Sequence, residues 1–240
     1  MRYIISDIHG CYEEYRELLG KIDFSEEDTL YVLGDAMDRG PEPIRVIKDL
    51  MMRLNVIYII GNHDLILLRV MKKLAVEVTE ENYRNHLSGD DLMLYSMWMQ
   101  ADGGEVTARQ FAALSRDEQQ DILEYLENAL VYEVLEEKEK TYILVHAGIS
   151  NFSEDRDLEE YELFEFISDR PDYGRRYYKD ENTYLVTGHT PTFYIHPNWE
   201  TDIYQKNGHI AIDCGCVFGG KLAAYCVETG EVTYAQSRHG

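Results

Sequence analysis

The sequence predicts an α/β fold, and three observations carry that prediction. Apolar runs of strand length alternate with segments of helical spacing over the first 70 residues. Residues 72–130 then change character: they are rich in Glu, Asp, Gln, Leu and Met, without a convincing strand. Strand-like runs return from 131 onward, and the last two are joined by the turn Glu228-Thr229-Gly230-Glu231.

The elements follow in order. A strand at 2–6 leads to a helix near 11–19, with Tyr12, Tyr15, Leu18 and Leu19 on one face and Gly20 as its stop. A strand at 29–33 leads to a helix opened by Pro41 and Pro43, in which Ile44, Ile47, Leu50 and Met51 repeat at helical spacing. A strand at 56–60 leads to a third helix over Leu65–Met71. This βαβαβ order implies parallel strands with right-handed crossovers. The segment 72–130 reads as a helical insertion, broken by Gly103-Gly104. Its best helix runs from Arg116 to Leu130 behind Ser115 as N-cap, with Ile122, Leu123, Leu126 and Leu130 on one stripe. Further strands are expected at 131–136, 142–146, 184–187, 209–212, 221–227 and 231–235. No repeat, low-complexity tract or linker interrupts the chain, so residues 1–240 read as one domain carrying the insertion.

Composition narrows the function. The formal net charge is -22, from 45 acids against 23 bases. A nucleic-acid backbone needs a basic footprint, and an anionic membrane surface attracts one. Both are excluded as main partners. The four cysteines, Cys11, Cys214, Cys216 and Cys226, match no zinc or redox spacing and read as small buried hydrophobes. No signal peptide precedes the first strand and no apolar run reaches membrane length. A reduced, cytoplasmic protein is the expectation.

The chemistry lies where strands end. Asp7-Ile8-His9-Gly10, Gly34-Asp35-Ala36-Met37-Asp38-Arg39-Gly40, Gly61-Asn62-His63-Asp64, Val145-His146-Ala147-Gly148 and Gly188-His189-Thr190 each follow an apolar run. Ligands of open α/β sheets collect beyond the carboxyl ends of the strands, so these residues can converge. Together they offer carboxylate, imidazole and amide donors, the set that hard and borderline divalent ions take. Asp7 and His9 can face one ion from a single strand end. Asp35 is positioned to bridge two, which two-metal hydrolases hold about 3.5–4 Å apart.

These motifs resemble the calcineurin-like metallophosphoesterases, most closely their bacterial phosphoprotein-phosphatase branch. The resemblance extends to Trp98…Asp102-Gly103-Gly104…Thr107, to Gly188-His189-Thr190-Pro191-Thr192 and to Ile212-Asp213…Phe218-Gly219-Gly220-Lys221-Leu222. It implies two facing mixed β-sheets flanked by helices, with the metals at one edge. It also implies that Asp7, His9 and Asp35 hold a first metal, and Asp35, Asn62, His146 and His189 a second. Mn²⁺ is the expected ion, with Fe or Zn as alternatives. His63 would be the general acid, oriented by Asp38. Arg39 would clamp the phosphoryl group, and Arg170 would be a further phosphate-binding arginine.

The reaction so implied is direct attack of a metal-bound hydroxide on phosphorus. The substrate would be a phosphorylated protein or peptide cleaved by a serine/threonine, or tyrosine, phosphatase. One departure points elsewhere. That branch usually has an arginine before its GNH motif, whereas Ile60-Gly61-Asn62-His63-Asp64-Leu65 looks more like symmetrical diadenosine tetraphosphatases, whose substrate is a small nucleotide.

Other residues read as structural. His86, His196, His209 and His239 are expected on the surface or satisfied in the core. Tyr173, Tyr177 and Tyr178 read as packing, and Glu13-Glu14 and Glu159-Glu160 as solvated faces.

Overall fold

Ten strands form two five-stranded sheets in the computed structural model, which describes residues 1–76, 79–80, 82 and 86–239. The first sheet joins β1 (Arg2–Ile5), β2 (Thr29–Val32), β3 (Val56–Tyr58), β9 (Lys221–Cys226) and β10 (Val232–Gln236) in the order β10-β9-β1-β2-β3. β1, β2 and β3 are parallel, as the βαβαβ pattern requires, and β9 and β10 add an antiparallel hairpin. The second joins β4 (Tyr132–Glu137), β5 (Lys140–Val145), β6 (Thr183–Thr187), β7 (Tyr204–Lys206) and β8 (His209–Ala211) in the order β4-β5-β6-β8-β7. It too is mixed, with β5, β6 and β8 parallel.

Period-2 alternation splits the strand residues between layers. Ile4, Tyr31 and Leu33 meet Tyr142, Leu144, Val186 and Ile210 in the core between the sheets. Ile5, Leu30 and Val32 point the other way, onto α1 (Tyr12–Lys21), α2 (Pro43–Met51) and α3 (Asn62–Ala75). Ile143, Val145 and Leu185 face a third cluster with Phe166 and Ile167 of α7 (Leu163–Ile167). With both faces buried, these strands read as nearly continuous apolar runs.

Among the described residues, the stretch read as an insertion holds the end of α3 and then α4 (Gly89–Gln100), α5 (Glu105–Ala112) and α6 (Arg116–Glu127). Trp98, Phe111, Ile122, Leu123 and Leu126 enter the same core as Ile5 and Val32. Ser115 caps α6, accepting from Glu118 N while Glu118 Oε2 accepts from Ser115 N at 2.9 Å. The structure corrects four expectations here. Leu130 lies outside α6; its backbone pairs with Tyr58 and Ile60 and carries the chain off the insertion. Gly20 does not stop α1, which continues to Lys21; the left-handed residue behind it is Asp23, at φ 51°. Glu14 is buried on the stripe of Leu18, accepting from Arg238 N at 2.8 Å, with His239 Nε2 3.4 Å away. The short polar strand β7 was not expected. No helix among the described residues is long and apolar enough to cross a membrane.

Candidate metal centre

Five strand exits deliver the predicted residues to one edge of the sandwich. β1 delivers Asp7 and His9, and β2 delivers Asp35. The loop after β3 ends in α3, whose first residues are Asn62 and His63. β5 and β6 deliver His146 and His189. The backbone turns sharply at these exits: Asp7, His9, Asp35, Asp38, Arg39 and His189 all have φ between 44° and 67°. Non-glycine residues hold this left-handed conformation at a cost of about 1–3 kcal/mol each, and such strain gathers at functional sites. Neighbouring glycines permit the close approach. A Cβ on Gly61 would lie 2.1 Å from Asp35 Oδ1, and one on Gly188 would lie 2.2 Å from Asp7 Oδ2.

The donors converge. His146 Nε2 and His189 Nδ1 each lie 2.9 Å from Asn62 Oδ1, and His146 Nε2 lies 3.5 Å from Asp35 Oδ2. His9 Nε2 lies 3.8 Å from Asp35 Oδ2 and 3.9 Å from Asp7 Oδ1. Asp35 is therefore common to two groups, one with His9 and His63 and one with His146 and His189. Backbone carbonyls set the tautomers: His9 Nδ1–H donates to Met37 O at 2.8 Å and His146 Nδ1–H to Leu33 O at 2.6 Å. Each leaves Nε2 as a lone pair facing the cluster, as a ligating imidazole requires. Asp7 Oδ2 accepts from His189 N and the Ser6 hydroxyl, which leaves Oδ1 toward His9.

Burial, then the neighbouring Asp213 and Asp35, pushes the Asp7 carboxyl well above its usual range. Burial likewise raises Asp213 to about 7. Burial holds His9 well below its ordinary pKa, and burial beside His146 lowers His189 to about 3. Asp35 stays low despite its burial because His146, His63, His9 and His189 surround it. Neutral imidazoles beside crowded buried carboxylates form a site that divalent cations neutralise and complete. The donor set fits the two ions expected from the motifs.

Beside the cluster, His63 Nδ1–H donates to Asp38 Oδ2 at 2.9 Å. Burial opposes charge on His63, but Asp35 and the Asp38 hydrogen bond outweigh it, so its pKa is raised. The Arg39 fork donates from Nη1 to His9 Nε2 at 2.7 Å and from Nη2 to His63 Nε2 at 2.8 Å. Arg170 stands exposed on the loop after α7, where its charge reaches His189 and Asp213.

Sequence reasoning missed the supports. Trp98 Nε1–H donates to Asp38 Oδ2 at 2.8 Å, and Asp38 N donates to Thr107 Oγ1 at 3.0 Å. Both come from the insertion, and Gly104 lets the backbone pass against the Trp98 indole. Asp64 Oδ2 accepts from Asp35 N, Gly61 N and Tyr58 OH at 2.8–2.9 Å, locking two motifs together. Asp213 accepts from Gly215 N at 2.9 Å. The glycine and polar spacing in Trp98…Gly103-Gly104…Thr107 was the one available signal for the insertion's part.

Residues 3–224 match the model of the calcineurin-like phosphoesterase family. The asymmetrical bis(5′-nucleosyl)-tetraphosphatase PrpE of Oceanobacillus iheyensis is 30% identical, over 98% of this chain and 92% of its own. The symmetrical bis(5′-nucleosyl)-tetraphosphatase of Buchnera aphidicola is 38% identical, but over 40% of this chain and 36% of its own. Among solved structures, a candidate diadenosine tetraphosphatase aligns with a TM-score of 0.65 at 21% identity, covering 100% of this chain and 94% of that one. A yeast protein serine/threonine phosphatase aligns with a TM-score of 0.56 at 10% identity, covering 100% and 80%. These two likenesses speak to the fold alone. Family match and whole-length relative together identify the chain: it belongs to the calcineurin-like phosphoesterases and is a metal-dependent phosphoric ester hydrolase.

Proposed function

We propose that this chain hydrolyses dinucleoside polyphosphates. The observation that carries the reading is the whole-length similarity to a relative named as a bis(5′-nucleosyl)-tetraphosphatase. It favours the small-nucleotide alternative over the phosphoprotein phosphatase of the sequence reading. The one domain of 1–240 would act as a unit, a view supported by the core that the insertion helices share with the first sheet.

Asp7, His9 and Asp35 would hold one divalent cation, and Asp35, Asn62, His146 and His189 the second, with Mn²⁺ the first ion to try. When bound, such a pair neutralises phosphoryl charge and lowers the pKa of water. The chain's own residues do the rest. Asp38 orients His63 and favours its charged form; once the Arg39 fork turns from His63 Nε2 to the phosphoryl oxygens, Nε2 is free to carry the proton for the departing phosphate oxygen. The Arg39 fork, between His9 and His63, presents two donors that suit phosphoryl oxygens. Arg170 adds a second cation from the loop after α7.

Stoichiometry supplies the test. A tetraphosphate joining two nucleosides is cut either into two diphosphates or into a mono- and a triphosphate. Diadenosine tetraphosphate is incubated with the Mn²⁺-loaded protein and the nucleotides are separated. ADP alone would support the symmetrical cut, and AMP with ATP the asymmetrical cut named for the longer match. No nucleotide product, with phosphate released from phosphopeptides, would return the reading to a phosphoprotein phosphatase.

A further inference from the structure

Next to the metal centre lies a group of aromatic rings that the hydrolytic machinery leaves unused. Phe218, Tyr194 and Trp199 are 57%, 61% and 68% exposed, unusual for rings of this size. They belong to one cluster. Phe193 lies 4.5 Å from Tyr194, 6.4 Å from Trp199 with ring planes 17° apart, and 6.4 Å edge-on from Phe218. Two short turns hold Phe193, Tyr194 and Phe218, Thr192–Tyr194 just beyond His189 and Cys216–Phe218 just beyond Asp213, and Trp199 follows the first turn by five residues.

Two further observations give the cluster a direction. The Arg39 guanidinium carbon lies 5.3 Å from the Phe218 ring centroid, while the same fork reaches His9 and His63. A continuous path thus runs from the metal ligands, over Arg39, to Phe218, Phe193 and Trp199. Trp199 also holds φ at 58°, a conformation that bulky residues adopt only under strain. An exposed tryptophan held so, at the end of that path, is a candidate ligand contact.

The ligand must carry phosphate at one end and a flat, uncharged ring at the other. A nucleobase has that ring, and every base offers a π-face to stack. We infer that Trp199, Tyr194, Phe193 and Phe218 form a stacking platform for one nucleobase of the substrate, with its phosphates extending over Arg39 to the metal centre. This subsite deepens the dinucleotide reading and rests on it. Because stacking ignores the base edge, the platform accepts adenine and guanine alike.

The test compares Trp199→Ala, Trp199→Phe and the parent protein, all Mn²⁺-loaded, on diadenosine tetraphosphate and on the base-free substrate tripolyphosphate. Trp199→Ala is expected to raise KM for the dinucleotide by about 10-fold, within the range that base–aromatic stacking supplies. Trp199→Phe is expected to restore most of that loss, and KM for tripolyphosphate is expected to stay unchanged. Because Trp98 is fully buried, quenching of tryptophan fluorescence by ADP reports on Trp199 and is expected to vanish in Trp199→Phe. An unchanged dinucleotide KM in Trp199→Ala overturns the platform while leaving the hydrolase reading intact. Failure of the parent to cleave the dinucleotide overturns the hydrolase reading and shows before any variant is made. Quenching then judges the platform alone, and its absence overturns the platform too. Equal KM increases on both substrates would mark a general disturbance and overturn the platform as well.

Discussion

Replacing Trp98 by Phe tests whether the insertion holds His63, the proposed proton donor, in place. Trp98 is fully buried and donates to Asp38 Oδ2, the oxygen that also accepts from His63 Nδ1. The other carboxylate oxygen, Asp38 Oδ1, is buried and has no hydrogen-bond partner. Loss of the indole N–H therefore withdraws solvation from a buried carboxylate that has little to spare. Hydrogen bonds to charged groups contribute about 1.5–3 kcal/mol, and the smaller ring adds a cavity term of about 1 kcal/mol. A loss of about 2.5–4 kcal/mol should lower Tm by roughly 5–15 °C in a domain of this size. If about 1 kcal/mol of that loss reaches the orientation of His63, kcat on a poor leaving group falls about fivefold. On p-nitrophenyl phosphate, whose leaving group needs little protonation, kcat should hold. Thermal unfolding and the two rate measurements decide the matter. Wild-type Tm together with wild-type kcat on both substrates would refute the reasoning.

Further expectations concern the site and the scaffold. His63→Asn should keep both metals, as metal analysis would read, yet lose about 10²–10⁴ in rate on poor leaving groups; equal rates would remove His63 as the acid. Gly61→Ala should displace Asp35, because the new Cβ would lie 2.1 Å from Asp35 Oδ1. Metal content per chain should fall, and full occupancy would contradict the close-packing argument. Chelation should lower Tm by about 10 °C relative to protein loaded at about 1,000 Kd, since ions that bind only the folded chain stabilise it by about 4 kcal/mol; an unmoved Tm would deny the coupling. Asp49 gives a pH signature. Burial pushes its carboxyl up, but the Arg53 hydrogen bond and charge, with Tyr15 and Arg16, hold it below its ordinary value. A lowered folded pKa contributes stability above the unfolded value that disappears as pH falls through the folded one. Asp49→Asn should therefore be destabilised at about pH 6 and approach the parent near pH 3; a constant gap across that range would count against it.

Much of this was legible because strand ends are local. An apolar run followed by Gly-Asp or Gly-Asn-His within one motif fixes where the donors sit, and the parallel order of β1, β2 and β3 brings them together. What the sequence concealed was distant. Trp98 and Thr107 reach Asp38 across 60 and 69 residues, and no spacing rule links such positions. Glu14 looked like half of a solvated acidic pair, yet helical periodicity sets it above Leu18 against the C-terminal segment. Gly20 was read as a stop, but the chain turns at Asp23, because the left-handed position fell three residues later. β7 is three residues long, mostly exposed and polar, and only its pairing with β8 makes it a strand. The aromatic platform was likewise invisible, since Phe193 and Phe218 lie in different turns and meet only through the fold.

Substrate choice is the central claim, and competition in one vessel tests it most directly. The Mn²⁺-loaded protein is given diadenosine tetraphosphate and a phosphoserine peptide at equal concentration, and the ratio of their kcat/KM values is read from the products. The account predicts that the dinucleotide is consumed at least about 100-fold faster, and that Asp35→Asn abolishes its consumption. Preferential dephosphorylation of the peptide, with the dinucleotide left intact, would contradict it.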